Sequence, residues 1–405
     1  MLEKHAILLD ANAGAPLHPR VKKALSAFLL SSSPGQAGYL GNPSSGHSLG
    51  RAAEFLLNAA RSSILKTFQA SPEDWQVTFT SGGTEANQLA VRGTLDRALK
   101  QQSSGEGPDP HWIVSPVEHS CVRGLIEPMQ AAGVRVTLAG IDGDGEVTHP
   151  ASECQSATLI SVIGVNNETG RIQPFISTPT LTSHILSAGN STEHHPLLHV
   201  DLVAGWGKVD LDLSVPGCPD LVAIAAHKLG GLPGVGALIH RKSCGLEPQV
   251  IGSQEAGLRG GTENILGILS LKVIADEWIS TRAEIEALRA HRDRFEIELK
   301  KRLSLAKITA ADRSRAPHLS HFSLIGLSRS ISIIEQLDLK GFAVAAGSAC
   351  ASQVPEPSHV LLAMGLGATD ALNSVRVSLH SESTWEELAL FLDALESILK
   401  RHDTR

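Results

Sequence analysis

The chain has 405 residues, of which 42% are hydrophobic and 19% charged, a composition typical of folded globular proteins and not of disordered ones. Its formal net charge is -7, so it lacks the positive excess that binding to nucleic acid or to an anionic membrane requires, and we expect a small-molecule substrate. No apolar run reaches the roughly 18 residues of a membrane span and residues 1–10 lack a signal-peptide pattern, so we expect a cytoplasmic protein.

Short apolar runs alternate with helical or polar segments between residues 76 and 241. In chain order the runs are QVTFT (76–80), HWIVS (111–115), RVTLAGI (135–141), ATLISVIGVN (157–166), LLHVDLV (197–203), LVAIAA (221–226) and VGALIHR (235–241). This alternation predicts a mostly parallel sheet covered by helices. Ligands of such folds bind at the carboxyl ends of the strands.

From about Ser280 the pattern changes to that of a second, α+β unit. A long charged helix is predicted over residues 284–302, followed by the strand-like runs HLSHFSLIG (318–326), FAVAAG (342–347) and SVRVSLH (374–380). The last helix begins at a capping box formed by Thr384 and Glu387. We therefore predict a large domain over residues 15–270 and a small domain made of residues 1–14 and 271–405.

The strand at residues 76–80 leads into the segment Ser81-Gly82-Gly83-Thr84-Glu85 and then into a helix predicted to begin near Thr84. Glycines let the backbone approach an anion, while free N–H groups and the helix dipole point at it. The segment is therefore a candidate phosphate site. A plain strand-to-helix turn explains the same residues.

Lys228 follows the run at residues 221–226 almost directly and precedes a glycine-rich turn at residues 230–236. A lysine that leaves a buried strand in this way is desolvated, which lowers its pKa and frees the amine to condense with an aldehyde. An ordinary surface lysine is the alternative.

Two further candidates follow other predicted strands. Asp201 ends one of them, where a buried carboxylate can pair with a pyridinium nitrogen and keep the ring an electron sink. His119 follows another strand and can stack on a cofactor ring or shuttle protons. The alternatives are a solvent-facing aspartate and one of the many structural or solvated members of a set of 18 histidines.

The second half of the chain supplies a thiol and a cation. Cys350 lies in the small-residue segment at residues 347–352, where an exposed thiolate can act as a nucleophile; a buried, inert thiol is the alternative. Arg376 suits bidentate binding of a substrate carboxylate, and a structural ion pair is the alternative. The other four cysteines are interpreted as structural, since an odd total without CxxC spacing suggests neither disulfides nor a zinc site: Cys121, Cys154, Cys218 and Cys244.

In this order the motifs resemble the cysteine desulfurases, class-V members of the pyridoxal-phosphate-dependent aminotransferase superfamily, nearly end to end. The matching segments are Asp10–Pro16, Gly41–Ser45 with His47 and Gly50-Arg51, Ser81–Glu85, Glu118-His119, Asn166–Gly170, His199–Asp201, His227-Lys228, Arg259–Asn264, and Ser348–Cys350 through to Arg376. The resemblance implies fold type I, with a mostly parallel seven-stranded sheet in the large domain and a smaller α+β domain. Gly-Ser-Ala-Cys at residues 347–350 is similar to the subgroup with the longer cysteine-bearing loop.

The resemblance also implies roles. Lys228 would form the Schiff base with pyridoxal 5'-phosphate and move the Cα proton, and Cys350 would take sulfur from L-cysteine as a persulfide, releasing L-alanine. The sulfur would pass to an acceptor protein for iron-sulfur cluster assembly or tRNA thiolation. The other implied roles are Asp201 at the pyridine nitrogen, His119 stacked on the ring, Asn167 near the phenolic oxygen and the substrate, Gly83, Thr84 and His227 at the phosphate, Thr262 at the phosphate of the neighbouring subunit of a homodimer, and Arg376 and Asn42 at the substrate carboxylate.

Several positions depart from the family pattern. Ala204 stands where a glutamine usually bonds the phenolate, and Ala225 stands where a serine usually binds phosphate. Residues 13–16 and 380–381, near the expected mouth of the site, also differ. Hydrogen bonds to charged groups contribute about 1.5–3 kcal/mol each, so these losses predict weaker cofactor retention. We expect an atypical desulfurase; the alternatives are a selenocysteine lyase, another pyridoxal-phosphate-dependent lyase, or a degenerate non-catalytic paralogue.

Overall fold

The computed structural model describes residues 6–30, 41–148, 151–154, 156–177, 195–327, 333–346 and 356–403. The strands in these ranges are β1 (Ile7–Leu8), β2 (Trp75–Thr80), β3 (His111–Val114), β4 (Arg135–Leu138), β5 (Gly140–Ile141), β6 (Val147–Thr148), β7 (Leu159–Ile163), β8 (Leu197–Asp201), β9 (Leu221–Ala225), β10 (Gly236–Arg241), β11 (Ala306–Ile308), β12 (Leu319–Leu324), β13 (Phe342–Ala343) and β14 (Ser374–Ser378).

The α-helices in the same ranges are α1 (Pro19–Leu29), α2 (Ser48–Thr67), α3 (Gly83–Ser103), α4 (Ser120–Arg123), α5 (Ile126–Ala131), α6 (Ala151–Cys154), α7 (Pro174–Ser177), α8 (Ile265–Asp276), α9 (Trp278–Arg302), α10 (Ile333–Leu339), α11 (His359–Ala363), α12 (Ala368–Leu372) and α13 (Trp385–Asp403). Single 3-10 turns occupy Ala226–Leu229, Lys242–Cys244 and Glu255–Gly257. Among the described residues no helix is both long and apolar enough to cross a membrane.

A seven-stranded sheet forms the centre of the molecule, in the order β2-β10-β9-β8-β7-β3-β4. The strands from β9 to β4 pair in parallel, whereas β10 is antiparallel to both of its neighbours. The predicted mostly parallel, seven-stranded sheet is therefore confirmed. The run RVTLAGI is an exception, because its last two residues leave the sheet and pair with β6 as a separate hairpin.

Helices cover both faces of this sheet, and the side chains of each central strand alternate between two cores. In β9, Val222 and Ile224 pack in the core that contains α2 and α8, while Leu221 and Ala223 pack in the core that contains α3. All five residues of β9 are buried, as expected for a strand covered on both sides. Because the central strands are parallel, their carboxyl ends lie at the same edge of the sheet, where a ligand can bind.

A second antiparallel sheet, β11-β12-β14, packs with α9 and α13 around a separate apolar core that includes Phe295, Phe322 and Phe391. The predicted capping box is present, since Thr384 N–H donates to Glu387 (2.9 Å) and Glu387 N–H donates to Thr384 Oγ1 (3.3 Å). The domain boundaries at residues 14 and 270 stay a prediction.

Helix α9 begins earlier than the predicted start at residue 284. It begins at Trp278, whose ring stacks on Trp206 with 5.5 Å between the ring centroids. The indole contact extends the helix backwards onto the core of the large sheet. The prediction was based on charged residues, which indicate only the solvent-exposed part of such a helix. It therefore placed the start of the helix six residues too late.

The N-terminal segment connects the two sheets. Its strand β1 pairs with β13, Leu9 is buried in the second core, and Asp10 forms a bridge to Ser378 of β14. The following residue pair, Asn12 and Ala13, then lies over the carboxyl ends of the central strands. Residues from both sheets therefore meet at this edge.

Candidate active site

One cavity of about 170 Å³ lies at the carboxyl ends of the central strands. It is lined by eight of the residues predicted from sequence: Gly83, Thr84, His119, Asn167, Asp201, His227, Lys228 and Arg376. These residues come from segments spread over nearly 300 positions of the chain. The structure thus brings most of the predicted site together.

Two predicted site residues do not line this cavity, and a third lies outside the described residues. Asn42 is exposed, and its Oδ1 accepts a hydrogen bond from Ser44 N–H (2.9 Å) in a local turn. Thr262 is also exposed, in the segment between Arg259 and α8. Cys350 lies outside the described residues. The roles of all three stay predictions.

The N-terminus of α3 forms one end of the cavity. The helix begins at Gly83, one residue before the predicted start. No side chain of the described residues caps it, so the N–H groups of its first turn can bind an anion. A Cβ at Gly83 would lie 2.4 Å from a methyl group of Val203, so glycine is required by close packing. The acidic Glu85 in the first turn is held by Arg259, whose Nε donates to it at 2.8 Å.

His227 lies beside this end as a neutral donor. Burial, followed by the positive charges of Lys228 and Lys208, lowers the pKa of His227 to about 4. Ala225 is fully buried and does not line the cavity, whereas Ala204 does. An apolar methyl group therefore faces the cavity at the position where a hydrogen-bonding glutamine is usual.

Asp201 also lines the cavity and is buried, which excludes the alternative of a solvent-facing aspartate. Its Oδ2 accepts a hydrogen bond from Asn87 Nδ2 (2.8 Å) and its Oδ1 accepts one from Val203 N–H (2.9 Å). Burial raises the pKa of the Asp201 carboxyl group. A positive ring nitrogen bound here would compensate the buried carboxylate.

His119 lies at the mouth of the cavity. It is exposed, it caps the short helix α4 by accepting a hydrogen bond from Cys121 N–H (3.3 Å), and its Nδ1 is 3.1 Å from Cys121 Sγ. The ring is thus held from one side by the backbone. That leaves an imidazole at the edge where the ring of a cofactor would enter.

Lys228 is not a surface lysine. Its Nζ donates to the carbonyl oxygens of Asn12 (2.7 Å) and Ala13 (3.2 Å). Burial, with a smaller contribution from Arg376, lowers the pKa of Lys228 to about 8, although Asp10 and Asp201 act in the other direction. A lysine with this pKa is partly unprotonated near neutral pH and can attack an aldehyde.

Arg376 forms an ion pair and also lines the cavity. Its guanidinium donates to Asp10 Oδ1 (2.7 Å) and to the carbonyl oxygen of Asn167 (2.9 Å), while its buried Nε has no hydrogen-bond partner within the described ranges. A structural ion pair and binding of a substrate carboxylate, the two interpretations made from sequence, are therefore compatible. Asp10 fixes the guanidinium, and the remaining N–H groups are available to a carboxylate.

The donor set fits pyridoxal phosphate. An open helix N-terminus suits the phosphate, the Asp201 carboxylate suits a protonated ring nitrogen, and the Lys228 amine suits the aldehyde. The buried Asp201 carboxylate is the most specific of these features, because a buried charge is costly unless a positive partner is present.

Some residues that organise the site were missed by the sequence interpretation. Glu118 is fully buried, one of its carboxyl oxygens has no hydrogen-bond partner among the described residues, and burial together with Asp201 raises its pKa. Its carbonyl oxygen is bonded by His359 Nε2 (3.0 Å), and the Ser358 hydroxyl bonds the Glu168 carboxyl group. These two contacts anchor the chain beside the cavity shortly after the cysteine-bearing segment, and nothing in the local sequence indicates them.

Lys208 was also missed. It is buried, and its Nζ has no hydrogen-bond partner in the part of the chain that the structure describes. Burial, followed by the charges of Lys228 and Arg376, lowers the pKa of Lys208 to about 7. With Lys228 and His318 it lines a smaller cavity of about 50 Å³.

Comparisons with known proteins agree with this geometry. The profile of the family described as Aminotransferase class-V matches residues 7–391. The chain is 34% identical over 403 residues to "Cysteine desulfurase IscS" of Dictyoglomus turgidum and 35% identical over 401 residues to "Cysteine desulfurase" of Bradyrhizobium diazoefficiens, in both cases covering 98% of this chain and 95% of the relative. A solved NifS-like protein from Rickettsia africae superposes with a TM-score of 0.81 at 26% identity, covering 98% of this chain and 100% of that one.

Proposed function

The chain belongs to the class-V aminotransferase family, and we propose that it is a pyridoxal-phosphate-dependent cysteine desulfurase, which takes sulfur from L-cysteine and releases L-alanine. The observation that carries the proposal is one cavity lined by the buried carboxylate of Asp201, the amine of Lys228 with its lowered pKa, and the guanidinium of Arg376. The relatives named cysteine desulfurase, which match over nearly the whole chain, support the choice of substrate.

Each of these residues has a separate task. Pyridoxal phosphate, when bound, supplies an aldehyde that condenses with amines and a ring that withdraws electrons. Asp201 holds the positive ring nitrogen, the Lys228 amine moves the proton at the substrate Cα, and Arg376 orients the substrate carboxylate. His119 would stack on the cofactor ring. The helix N-terminus at Gly83 would hold the phosphate, with His227 as a neutral donor.

We assign the sulfur-accepting thiol to Cys350. Cys121 also lines the cavity, but burial and the neighbouring Asp201 raise its pKa to about 12, so its thiolate is scarce. Cys350 is four positions after Ala346, a stretch that spans at most about 14 Å. The preceding residue, Ala345, accepts a hydrogen bond from the backbone N–H of Arg376 (2.8 Å), whose side chain lines the cavity.

The sulfur transfer is balanced without an external oxidant. The Cys350 thiolate forms a bond to the sulfur of L-cysteine while the carbon–sulfur bond of the substrate breaks and its electron pair passes to the carbon side. A proton delivered to carbon then completes L-alanine. The net change converts a thiol and L-cysteine into a persulfide and L-alanine.

A homodimer and a sulfur-acceptor protein belong to the same proposal. Thr262 is exposed and does not line its own cavity, as a residue serving a neighbouring subunit would be. Ile251 lies close to the segment that contains Thr262, since Gly260 N–H donates to the carbonyl oxygen of the adjacent Val250 (2.8 Å). The side chain of Ile251 is 91% exposed, so apolar surface is available for a subunit contact. The name IscS of one relative supports an acceptor in iron-sulfur cluster assembly. The cytoplasmic location stays a prediction.

The experiment is an assay of purified protein with pyridoxal phosphate and L-cysteine, in which L-alanine is quantified and protein-bound persulfide is located by mass spectrometry. We expect alanine formation and a persulfide on Cys350 in the wild type. Cys350→Ala should abolish both, and Cys121→Ala, the matched control from the same cavity, should retain both. A persulfide on Cys121, or alanine formation by Cys350→Ala, would contradict the assignment.

The identity of residue 204 is the reason to test the alternative functions, a lyase and a non-catalytic paralogue, in the same assay. Ala204 lines the cavity where the family pattern has a hydrogen-bonding glutamine, which motivates a shifted substrate or a degenerate protein. Selenocysteine is therefore assayed in parallel. Alanine and selenide from selenocysteine but not from cysteine would identify a lyase. A protein that stays colourless with added pyridoxal phosphate would identify a non-catalytic paralogue.

A further inference from the structure

We propose that Asn87, His199 and Ser161 form a one-directional chain of hydrogen bonds that holds the Asp201 carboxylate as the acceptor for a protonated ring nitrogen. They are positioning residues, because each acts through the next. The inference rests on the proposed function, which assigns Asp201 to that nitrogen. It adds three residues to which no role has yet been assigned.

The chain is continuous and buried, and it runs from α3 across three strands of the large sheet, β8, β7 and β3. Asn87 on α3 donates from Nδ2 to Asp201 Oδ2 (2.8 Å), and its Oδ1 is 3.0 Å from His199 Nε2. His199 Nδ1 is 3.2 Å from Ser161 Oγ, which accepts a hydrogen bond from Trp112 Nε1 (2.9 Å). All five side chains are 3% exposed or less.

The Asp201 end of the chain fixes its direction. An ionised Asp201 can only accept, so the Asn87 amide presents Nδ2 to it and Oδ1 to His199. Oδ1 accepts the single hydrogen of the neutral imidazole from Nε2, which leaves Nδ1 as the acceptor for the Ser161 hydroxyl hydrogen. At the far end, the indole N–H of Trp112 can only donate, and Ser161 Oγ accepts it.

His199 is neutral, so the nitrogen that carries its ring hydrogen determines which way the Asn87 amide is turned. Burial lowers the pKa of His199 to about 3, so it carries one ring hydrogen and not two. If that hydrogen moved to Nδ1, Nε2 would need a donor, and the Asn87 amide would satisfy it only by turning. The turned amide would present Oδ1 to the Asp201 carboxylate, replacing an attraction with a repulsion.

Asp201 needs this donor because its burial opposes ionisation and is the largest influence on its pKa. The nearby Glu118 is also buried, and its own pKa is raised by burial and by Asp201, which favours a neutral Glu118. The charges of His119 and Lys228 favour ionisation, as do the hydrogen bonds from Val203 N–H and Asn87. The pKa of the nearby Cys121 thiol is raised to about 12, so it is neutral. Asn87 is the side-chain donor to Asp201 among the described residues.

The test compares the wild-type holoenzyme with three variants by nitrogen NMR with ¹⁵N-labelled pyridoxal phosphate, together with the rate at which the cofactor is lost on dilution. His199→Phe breaks the chain. His199→Gln restores a donor to Asn87 and an acceptor for Ser161 at similar spacing. His240→Phe is the matched control, because His240 is also buried in the sheet and bonds Thr78 (3.1 Å), but its contacts do not reach the cavity.

We expect a protonated ring nitrogen in the wild type, His199→Gln and His240→Phe, and loss of that proton at lower pH in His199→Phe. Cofactor loss should be about tenfold faster in His199→Phe, since the hydrogen bond from Asn87 to the charged Asp201 is no longer held in place. Should His199→Phe not fold, as judged by circular dichroism, Ser161→Ala makes the smaller change and should shift the nitrogen in the same direction.

The inference is overturned if His199→Phe or Ser161→Ala keeps the ring nitrogen protonated over the same pH range as His240→Phe. That outcome leaves the proposed function intact. The proposed function fails separately, if the wild type binds no labelled cofactor or shows an unprotonated ring nitrogen, or forms no alanine from L-cysteine.

Discussion

Titratable residues in and beside the active-site cavity have pKa values that are set by burial more than by their neighbours. Lys228, Lys208 and His227 all have lowered pKa values with burial as the largest cause, so each is more readily neutral than it would be in water. A neutral amine is what condensation with an aldehyde requires. A neutral imidazole binds phosphate by hydrogen bonding and not by charge.

At the scale of a single residue, substitution of Arg376 tests how the substrate is bound. Its planar guanidinium is held by Asp10 and presents a forked donor that an ammonium group cannot reproduce. We expect Arg376→Lys to raise KM for L-cysteine about 10- to 100-fold, equivalent to about 1.4–2.7 kcal/mol, with a smaller change in kcat. The measurement is the initial rate of alanine formation across a range of L-cysteine concentrations.

The matched control for that variant is Arg171→Lys. Arg171 is also buried and ion-paired, with Glu146 at 2.9 Å, but it does not line the active-site cavity. An unchanged KM in Arg376→Lys would show that the guanidinium is structural. A KM raised equally in both variants would point to a general loss of packing.

At the scale of elements, the sequence pattern was a good guide to what each segment is and a poorer guide to what it contacts. The strands were predictable because residues such as Val222 and Leu221 alternate between two apolar cores, which gives continuous buried runs. The start of α9 at Trp278 was not predictable, since it depends on a ring contact with Trp206 from a distant segment. Local periodicity carries no information about such contacts.

The same limit applied to the site. Lys228 and Asp201 were found because they stand at the ends of strands, where a parallel sheet gathers functional groups. Asn87 lies one helical turn after Thr84, so helical spacing would have placed it beside the cavity. His199 gave no signal of its own, because its role depends on Ser161 in a neighbouring strand.

The last helix gives a prediction that belongs to this scale. Reciprocal hydrogen bonds between Thr384 and Glu387 satisfy two N–H groups at the start of α13, which packs Phe391 into the second core. We expect Thr384→Ala to lower the free energy of unfolding by about 1 kcal/mol and to speed amide exchange in the first turn of α13. Calorimetry and hydrogen exchange measure the two effects.

Ser381→Ala is the control for the cap, because Ser381 is exposed and lies just before the same helix. It should leave both stability and exchange close to wild type. Equal effects of the two substitutions would mean that the hydrogen bonds between Thr384 and Glu387 contribute nothing measurable.

At the scale of the whole molecule, the two sheets meet through the N-terminal segment, and the active site lies on that junction. Leu9 is packed in the second core, Asn12 Nδ2 donates to the carbonyl oxygen of Asn167 (2.7 Å), and Lys228 donates to the carbonyl oxygen of Asn12. The catalytic amine is therefore held by a segment that begins in the other sheet. Packing of the second core and the position of Lys228 are coupled.

The buried Lys208 near this junction sets a pH dependence of stability for the whole chain. Its pKa is about 7 in the folded protein and near 10.5 when unfolded, so between these values the unfolded chain binds more protons and wild-type stability rises with pH. The cost of the buried ammonium group is fully present below pH 7. We expect Lys208→Met to be about 2–4 kcal/mol more stable at pH 6, with a smaller gain at pH 9.

Urea unfolding at pH 6 and pH 9, at constant ionic strength, measures this difference. Methionine is similar in volume to lysine, so packing should change little. Lys22→Met, at an exposed position on α1, is the control and should stay within about 0.5 kcal/mol of wild type at both pH values. A Lys208→Met variant less stable than wild type at pH 6 would contradict the prediction, because it would mean that the ammonium group gains more from a bound partner than burial costs it.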